Sequence, residues 1–418
     1  MSNSQAVKQP RLRVAICGGG IAGLCLTLVL LKYEDIQVGV YEAAGSFKEI
    51  GAGVMVWGRS WEILRRMGLE TELRAAENVP TDGLHDTCIL FHRARFLDVL
   101  VKRVPDRVAH LRKRLSDYTC LRSGGYQLNF ADGTTAECDV LIGADGVRSV
   151  VRRRMFEDAA KARGQPALLK HIEPFFSGTV AYRVLVPRER FLEVNGKMHP
   201  AMKEAMMYCG KGRHIVSYGI ASGTLCNIVG LVSDRNAEGK EYKGPWVEET
   251  TPEELLQCFA GWEPDVQDLL KCVAPRKPLR WAIHQVHPLP FYVSDNVALV
   301  GDAAHAMTPH EGAGAGQAIE DAYVLAKLLA HPSTTSDTLS RVLRAYDHVR
   351  RPMGNYVVEG SRESGAMYDF ESRFGDDYEV VGSAIQKQFG WVTEPSPDAL
   401  VEKALKWCYE SIDSRAKL

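Results

Sequence analysis

The stretch Gly301-Asp302-Ala303-Ala304-His305 through Pro309-His310-Glu311-Gly312-Ala313-Gly314-Ala315-Gly316 concentrates residues that could do chemistry. Asp302 follows the apolar run Val297 to Val300, where packing alone gives an acid no purpose, so something must lie against that backbone. Gly312, Gly314 and Gly316 alternate before an apolar helix, an arrangement that leaves backbone amides bare for a ligand. His310 could relay a proton, and a hydrogen-bonding structural role fits it equally. Two more turns share the pattern of apolar run, small residues and acid. One is Gly18-Gly19-Gly20-Ile21-Ala22-Gly23, with Glu42 beyond it, and the other is Gly143-Ala144-Asp145-Gly146-Val147-Arg148-Ser149.

Each turn needs a strand before it and a helix after it. Around the first turn, the β-rich run Arg11 to Cys17, the apolar stretch Leu24 to Tyr33 and the run Gln37 to Tyr41 predict strand, helix and strand. Gly18 then permits the tight turn, Gly20 lets the backbone approach a pyrophosphate, and Gly23 allows helix and strand to meet closely. Glu42 arrives about 20 residues later, where an acid accepts from a ribose hydroxyl. The glycines do not separate FAD from NAD, but a 2′-phosphate would meet Glu42, which disfavours NADP in this slot. The helix after the third turn is expected over Gln317 to Leu329, with Glu320 and Asp321 in its first turn as the helix dipole prefers. One nucleotide unit needs one such turn. Three of them suggest a long cofactor held in several places.

Together, GGGIAG with Glu42, CDVLIGADGVRS and VALVGDAAHAMTP resemble the single-component FAD-dependent aromatic hydroxylases, the para-hydroxybenzoate and salicylate hydroxylase group. Within that group the fungal salicylate-hydroxylase-like and resorcinol-dearomatising enzymes are most similar, and the resemblance runs from about Arg11 to Tyr368. It implies an α/β fold: a Rossmann-type FAD-binding domain with a mostly parallel sheet, an inserted smaller mixed β-sheet substrate domain and a C-terminal helical segment. The boundaries implied are 1–165 and 282–365 for the two parts of the FAD domain, 166–281 for the substrate domain and 366–418 for the terminal segment. By the same resemblance Arg93 reaches the phosphate and ribityl region, Asp145 and Gly146 serve FAD and a transient NADH or NADPH, and Asp302 accepts from the ribityl chain. Gly312, Gly314 and Gly316 would turn amides toward the isoalloxazine edge, with Pro309 near the flavin face. The implied activity is NAD(P)H- and O2-dependent hydroxylation of a phenol, a salicylate-like acid or resorcinol-type polyketide, through a flavin hydroperoxide.

The alternating runs between Phe175 and Val232 suit a half-exposed antiparallel sheet. By resemblance, Arg183 and Tyr218 there clamp a phenolate, and a cation beside a phenol lowers its pKa. Two departures stand out. Only LHDTCILF separates Gly83 from His92, where the family carries a longer insertion, and Trp57-Gly58-Arg59 replaces a common Pro-Asn. A chain that keeps FAD but acts as an NAD(P)H oxidase or non-hydroxylating flavin module is therefore the alternative. Arg59 is either a compensating anion contact or a surface charge, and Arg152-Arg153-Arg154 reads as a solvated helix face.

The bulk numbers fit an ordinary globular protein. Of 418 residues, 45% are hydrophobic and 25% charged, and Lys+Arg 51 against Asp+Glu 52 leaves −1, which argues against nucleic acid or an anionic membrane as the partner. Ten scattered cysteines lack metal or disulfide spacing, His284 and His287 have no third ligand, and no metal site is expected. The run Leu24 to Leu31 is too short to span a bilayer. A cytoplasmic protein is expected, with a peroxisomal address open from Ala416-Lys417-Leu418. The segment after Tyr368 reads as a helical cap, for packing or for a homodimer contact.

Overall fold

The computed structural model describes residues 9–47, 53–77, 88–393 and 395–413. The first glycine turn joins strand Leu12–Cys17 to helix Ile21–Leu30, and strand Ile36–Glu42 follows. Leu12–Cys17 lies between two parallel neighbours and is covered on both faces, so its apolar run is almost unbroken. The sheet runs in the order Val293–Ser294, Val297–Leu299, Val140–Gly143, Leu12–Cys17, Ile36–Glu42, Ala109–Leu111. Only the first of these strands is antiparallel to its neighbour. The strands that precede the three turns are thus adjacent and parallel, and their carboxyl ends emerge along one edge.

A second, antiparallel sheet is built from Met206–Gly210, Arg213–Ile220, Leu225–Ser233, Phe175–Pro187, Leu279–Gln285 and Val247–Glu249. Its Val184, Ile215 and Ile228 pack with Leu255 and Leu269 of helices Pro252–Cys258 and Pro264–Lys271 and with Phe259 between them. Period-two alternation turns Arg183, His214 and Tyr218 to the opposite face. A small antiparallel sheet, Leu115–Cys120, Tyr126–Phe130 and Thr135–Cys138, was not apparent from the sequence pattern. The C-terminal part comprises helices Leu339–Tyr368, Tyr378–Gln388 and Pro397–Asp413. Among the described residues no helix is long and apolar enough to cross a membrane, and no group of His, Cys, Asp or Glu is placed to hold a metal. The C-terminal Ala416-Lys417-Leu418 lies outside the described residues, as does 78–87 of the shortened segment. The strand just after that segment, Cys88–His92, pairs antiparallel with Gly53–Trp57.

Two expectations about charged residues change, and the alternatives for Arg59 are separated. The helix after the third turn begins at Gly314, with no acid in its first turn, so Glu320 and Asp321 lie deeper and are fully buried. They meet buried Arg350, which donates to Asp321 Oδ1 at 2.8 Å, Glu320 Oε2 at 2.9 Å and Gln317 Oε1 at 2.7 Å. Arg59 is no surface charge: its guanidinium donates to both oxygens of Glu320, at 2.7 and 2.9 Å, and to the Trp391 carbonyl. Arg152 leaves the solvated run and is buried, donating to the carbonyls of Ala303, Ile172 and Val147. Burial pulls its pKa down to about 10, with Asp145 the first of the charges opposing that. Removing one partner of a buried ion pair leaves the other charge uncompensated, at a cost of about 3–5 kcal/mol. Arg350→Met is accordingly expected to lower unfolding free energy by about that amount in chemical denaturation. A loss within the noise of a surface substitution would show the cluster to be dispensable.

Candidate functional site

The first and second turns touch through backbone. Gly18 has φ +110°, and a Cβ there would lie 2.1 Å from the Ala144 carbonyl oxygen. A Cβ on Gly23 would lie 2.0 Å from the Gly18 oxygen, so helix and strand meet as closely as the fingerprint requires. Gly20 caps helix Ile21–Leu30 in extended conformation with no side chain bonded there. The Glu42 carboxylate stands at the mouth of this turn, accepting from Gly19 N at 2.8 Å and Ala44 N at 2.7 Å.

At the second turn, Asp145 accepts from Ser149 Oγ and from the amides of Val150 and Val151 at 2.8 and 3.1 Å. Burial raises its pKa, and these donors only partly offset that. Its carboxylate is thus occupied at the head of helix Val150–Arg163, while Gly146 turns the chain with φ +77°. Arg152 then ties this turn to the third, holding Val147 and Ala303 together. Asp321 steadies the third turn from below, accepting from Gly301 N at 2.9 Å and contacting His305 Nε2 at 2.5 Å. His305, close to Pro309 in sequence, therefore serves this anchor. Burial pushes the Asp321 pKa up, but His305 and Arg350 overcome it and hold the carboxyl below its usual value.

Asp302 is exposed, and its charge acts on Arg93 and Arg152. Burial lowers the Arg93 pKa, against which Asp302 works. Arg183 is next in line: burial lowers its pKa, Tyr218 opposes that, and Arg93 adds to it. Its guanidinium lies 5.2 Å from the Trp281 ring, and its buried Nε has no hydrogen-bond partner among the described residues. Burial raises Tyr218 to about 12, and Arg183 pulls the other way. A Cβ on Gly53 would sit 2.3 Å from the Tyr218 hydroxyl, so the hairpin Gly53–Trp57 and Cys88–His92 closes over it.

The three alternate glycines have three different surroundings. Gly312 has φ +59° and faces Met55, whose sulfur a Cβ would approach to 2.7 Å. Gly316 faces Ser60 Oγ, 2.8 Å from its virtual Cβ, so it serves contact with helix Gly58–Met67 rather than an open cleft. Of the three, Gly314 alone would place a Cβ with nothing within 4 Å among the described residues. The Pro309 carbonyl accepts from Gly312 N at 3.1 Å, closing the loop on itself.

His310 Nδ1 lies 3.0 Å from the Ser361 carbonyl, so that nitrogen must donate, leaving Nε2 an acceptor. Nε2 is buried with no partner among the described residues, and burial pushes the ring down to about 3. A second imidazole, unnoticed in the sequence, is His214. Its Nδ1 sits 2.7 Å from Asp369 Oδ1, its Nε2 is likewise buried and unpartnered, and its ring centroid is 5.2 Å from that of His310. Arg235 reaches the other Asp369 oxygen at 3.3 Å, and the Tyr368 ring is 5.4 Å from His214. His214 and Asp369 are 155 positions apart, so no spacing rule could pair them. His284 and His287 stay away from this centre, His284 stacking on Trp246 at 3.5 Å beneath Arg148.

A long phosphate-bearing cofactor fits the edge where the turns emerge. Bare amides and the Gly20-capped helix would face its pyrophosphate, the Glu42 and Asp302 carboxylates its sugar hydroxyls, and the space before Gly314 its ring system. The profile of a family described as FAD binding domain matches residues 239–361. A salicylate hydroxylase of Pseudomonas putida is 37% identical over 96% of each chain. A 6-methylsalicylate 1-monooxygenase of Aspergillus terreus is 36% identical over 88% of this chain and 85% of its own. Among solved structures, a salicylate hydroxylase substrate complex superposes with TM-score 0.82 at 34% identity, over 95% of this chain and 98% of that one.

The glycine geometry gives a paired test. Gly18→Ala, with its Cβ inside contact distance of Ala144 and a left-handed φ, is expected to unfold the protein or lower its melting point sharply. Gly314→Ala, with open space before it, should leave the melting point of the ligand-free chain within the scatter of a surface substitution. The reverse order would refute the geometry.

Proposed function

We propose, from the premise that this chain belongs to the salicylate hydroxylase family of FAD-dependent monooxygenases, that it hydroxylates a small phenol carrying an anionic or second hydroxyl group, using NAD(P)H and O2. The chain is a FAD-dependent aromatic hydroxylase by that membership. FAD, when bound, takes hydride from the reduced nicotinamide and activates oxygen. The protein's own share is to hold the ring, exclude water and move one proton.

The observation that carries this reading is the pair of buried imidazole acceptors, His214 Nε2 and His310 Nε2, on the side of the second sheet that bears Arg183 and Tyr218. A buried acceptor without a donor is costly, and a phenolic O–H supplies the donor. We assign His214 as the group that takes the phenol's proton. Asp369 keeps its Nδ1–H oriented and would stabilise the charged ring once the proton arrives. His310, neutral at any working pH, serves as an acceptor that positions the hydroxyl rather than as a base. Arg183, with a guanidinium nitrogen unsatisfied, faces the phenolate or an attached carboxylate, and Tyr218 orders it. The reading gives Glu42 the ribose, Asp302 the ribityl chain, Arg93 the phosphates, and Gly18, Gly20 and Gly23 the pyrophosphate. Gly312 and Gly314 shape the loop beside the flavin ring, and Gly316 the helix behind it.

The balance is phenol, O2, NAD(P)H and a proton in, and hydroxylated phenol, water and NAD(P)+ out. A panel of phenols and salicylate-type acids, screened for substrate-stimulated NAD(P)H oxidation with product identified by mass, tests the reading. His214→Gln is expected to lower kcat by about 10²-fold or more while flavin content is kept. Peroxide formed equally with and without every phenol, and no hydroxylated product, would mark an oxidase instead.

A further inference from the structure

Glu311 stands between His310 and the first loop glycine, and its side chain is buried, with 2% of the residue exposed. Its Oε1 accepts from Ser364 Oγ at 2.9 Å and its Oε2 from Trp391 Nε1 at 2.9 Å, while its carbonyl accepts from Trp57 Nε1 at 3.2 Å. Gly360 leaves room for the carboxylate, since a Cβ there would lie 3.0 Å from Oε1. Trp391 packs with Ala313 and Val357 in one apolar cluster, to which Trp57, Met307 and Met353 add their flanks. The carbonyl of Trp391 receives Arg59. Through one residue, the loop is therefore joined to the long helix, to the hairpin and to the C-terminal segment Phe389–Val392 at once.

Packing does not call for an acid here. Both side-chain donors are neutral, so a glutamine could fill the position without the cost of burying a charge. Among the described residues, the groups around it include no matching cation. From helix Leu339–Tyr368 come Ser364 and the Tyr368 phenol, whose pKa burial raises with Glu311 the next cause, and from the C-terminal segment comes Trp391. From helix Tyr378–Gln388, Gln388 reaches the same Gly360. The neighbouring ring of His310 is neutral. Arg59 is directed to Glu320 and the Trp391 carbonyl.

We propose that Glu311 is a positioning residue that, with Trp391, clamps the glycine loop against the C-terminal segment, and that gain or loss of its proton changes how firmly the loop is held. The proposal rests on the reading that this loop borders the flavin. Burial pushes the Glu311 carboxyl up to about 7, with Ser364 and Trp391 acting the other way. Its proton is therefore lost across the neutral range. When protonated, its O–H can turn to Ser364, whose hydroxyl reverses, while Trp391 still donates to the other oxygen. When ionised, it carries a buried charge on neutral donors. Because its pKa is raised on folding, the stabilising form is complete below the usual glutamate range and is lost as pH rises through about 7.

The test is a pH titration of tryptophan fluorescence on the full-length holoenzyme, beside the ratio of hydroxylated product to NAD(P)H consumed. We expect a transition near neutrality in the wild type, absent from Glu311→Gln and from Trp391→Phe. Ser364→Ala, which removes a donor to the anion, should move its midpoint upward, and this variant keeps the test decisive should Glu311→Gln fail to fold. The product ratio should vary between pH 6 and pH 8 in the wild type and become flat in Glu311→Gln. A transition that persists unchanged in Glu311→Gln, or a midpoint unmoved in Ser364→Ala, overturns the proposal. An enzyme that makes no hydroxylated product at any pH defeats the functional reading, and the fluorescence titration then still decides on Glu311.

Discussion

The site depends on a buried charge cluster beneath the third turn. Asp321 binds Gly301 N, His305 and Arg350, and Glu320 binds Arg350 and Arg59. Two acids on one helix would repel and be expensive to bury alone; two guanidiniums from different elements make them tolerable. The same pairs weld helix Gly314–Ala330 to helix Leu339–Tyr368, to the start of helix Gly58–Met67, and to the turn at Gly301. A loop with an open side cannot be held there by apolar packing. Directional, charge-assisted bonds from behind give it one position.

Above that base, geometry follows from strand order. The strands ending at Cys17, Gly143 and Leu299 are neighbours and parallel, so their turns meet without long connections. Gly18 against Ala144, Arg152 between Val147 and Ala303, and Gly301 against Ala22 then close the gaps between them. The substrate side is assembled differently. His214 comes from the antiparallel sheet and Asp369 from just beyond the longest helix, so the candidate base and its orienting acid lie on separate elements. A small change in how those elements dock would alter the dyad while leaving the three glycine turns untouched. Glu311 and Trp391 lie at that same seam, next to His310.

Much of this was legible in the primary structure because it is local. Gly18 and Gly23 are read from a few residues of context, since a tight turn and close helix–strand contact demand glycine whatever the rest of the chain does. Apolar periodicity likewise located the strand–turn–helix units and the antiparallel sheet. Local reasoning failed where a charge is neutralised by a distant partner. Arg152 looked like one of three solvated arginines, and Arg59 was left between an anion contact and a surface charge, because the carbonyls and the Glu320 carboxylate that receive them are far along the chain. Glu320 and Asp321 looked like dipole-compensating acids for the same reason.

The amino-acid sequence by itself determined the fold class, the cofactor and the family, through short motifs whose physics is complete within each motif. Tertiary structure alone decided which histidine faces Asp369, which glycine of the third loop faces open space, and that Glu311 is buried among neutral donors. Those facts are pairings across more than fifty positions. Nothing in residue type or spacing encodes such a pairing until packing brings the elements together, because burial, not sequence neighbourhood, sets the dielectric and the partners of a charge.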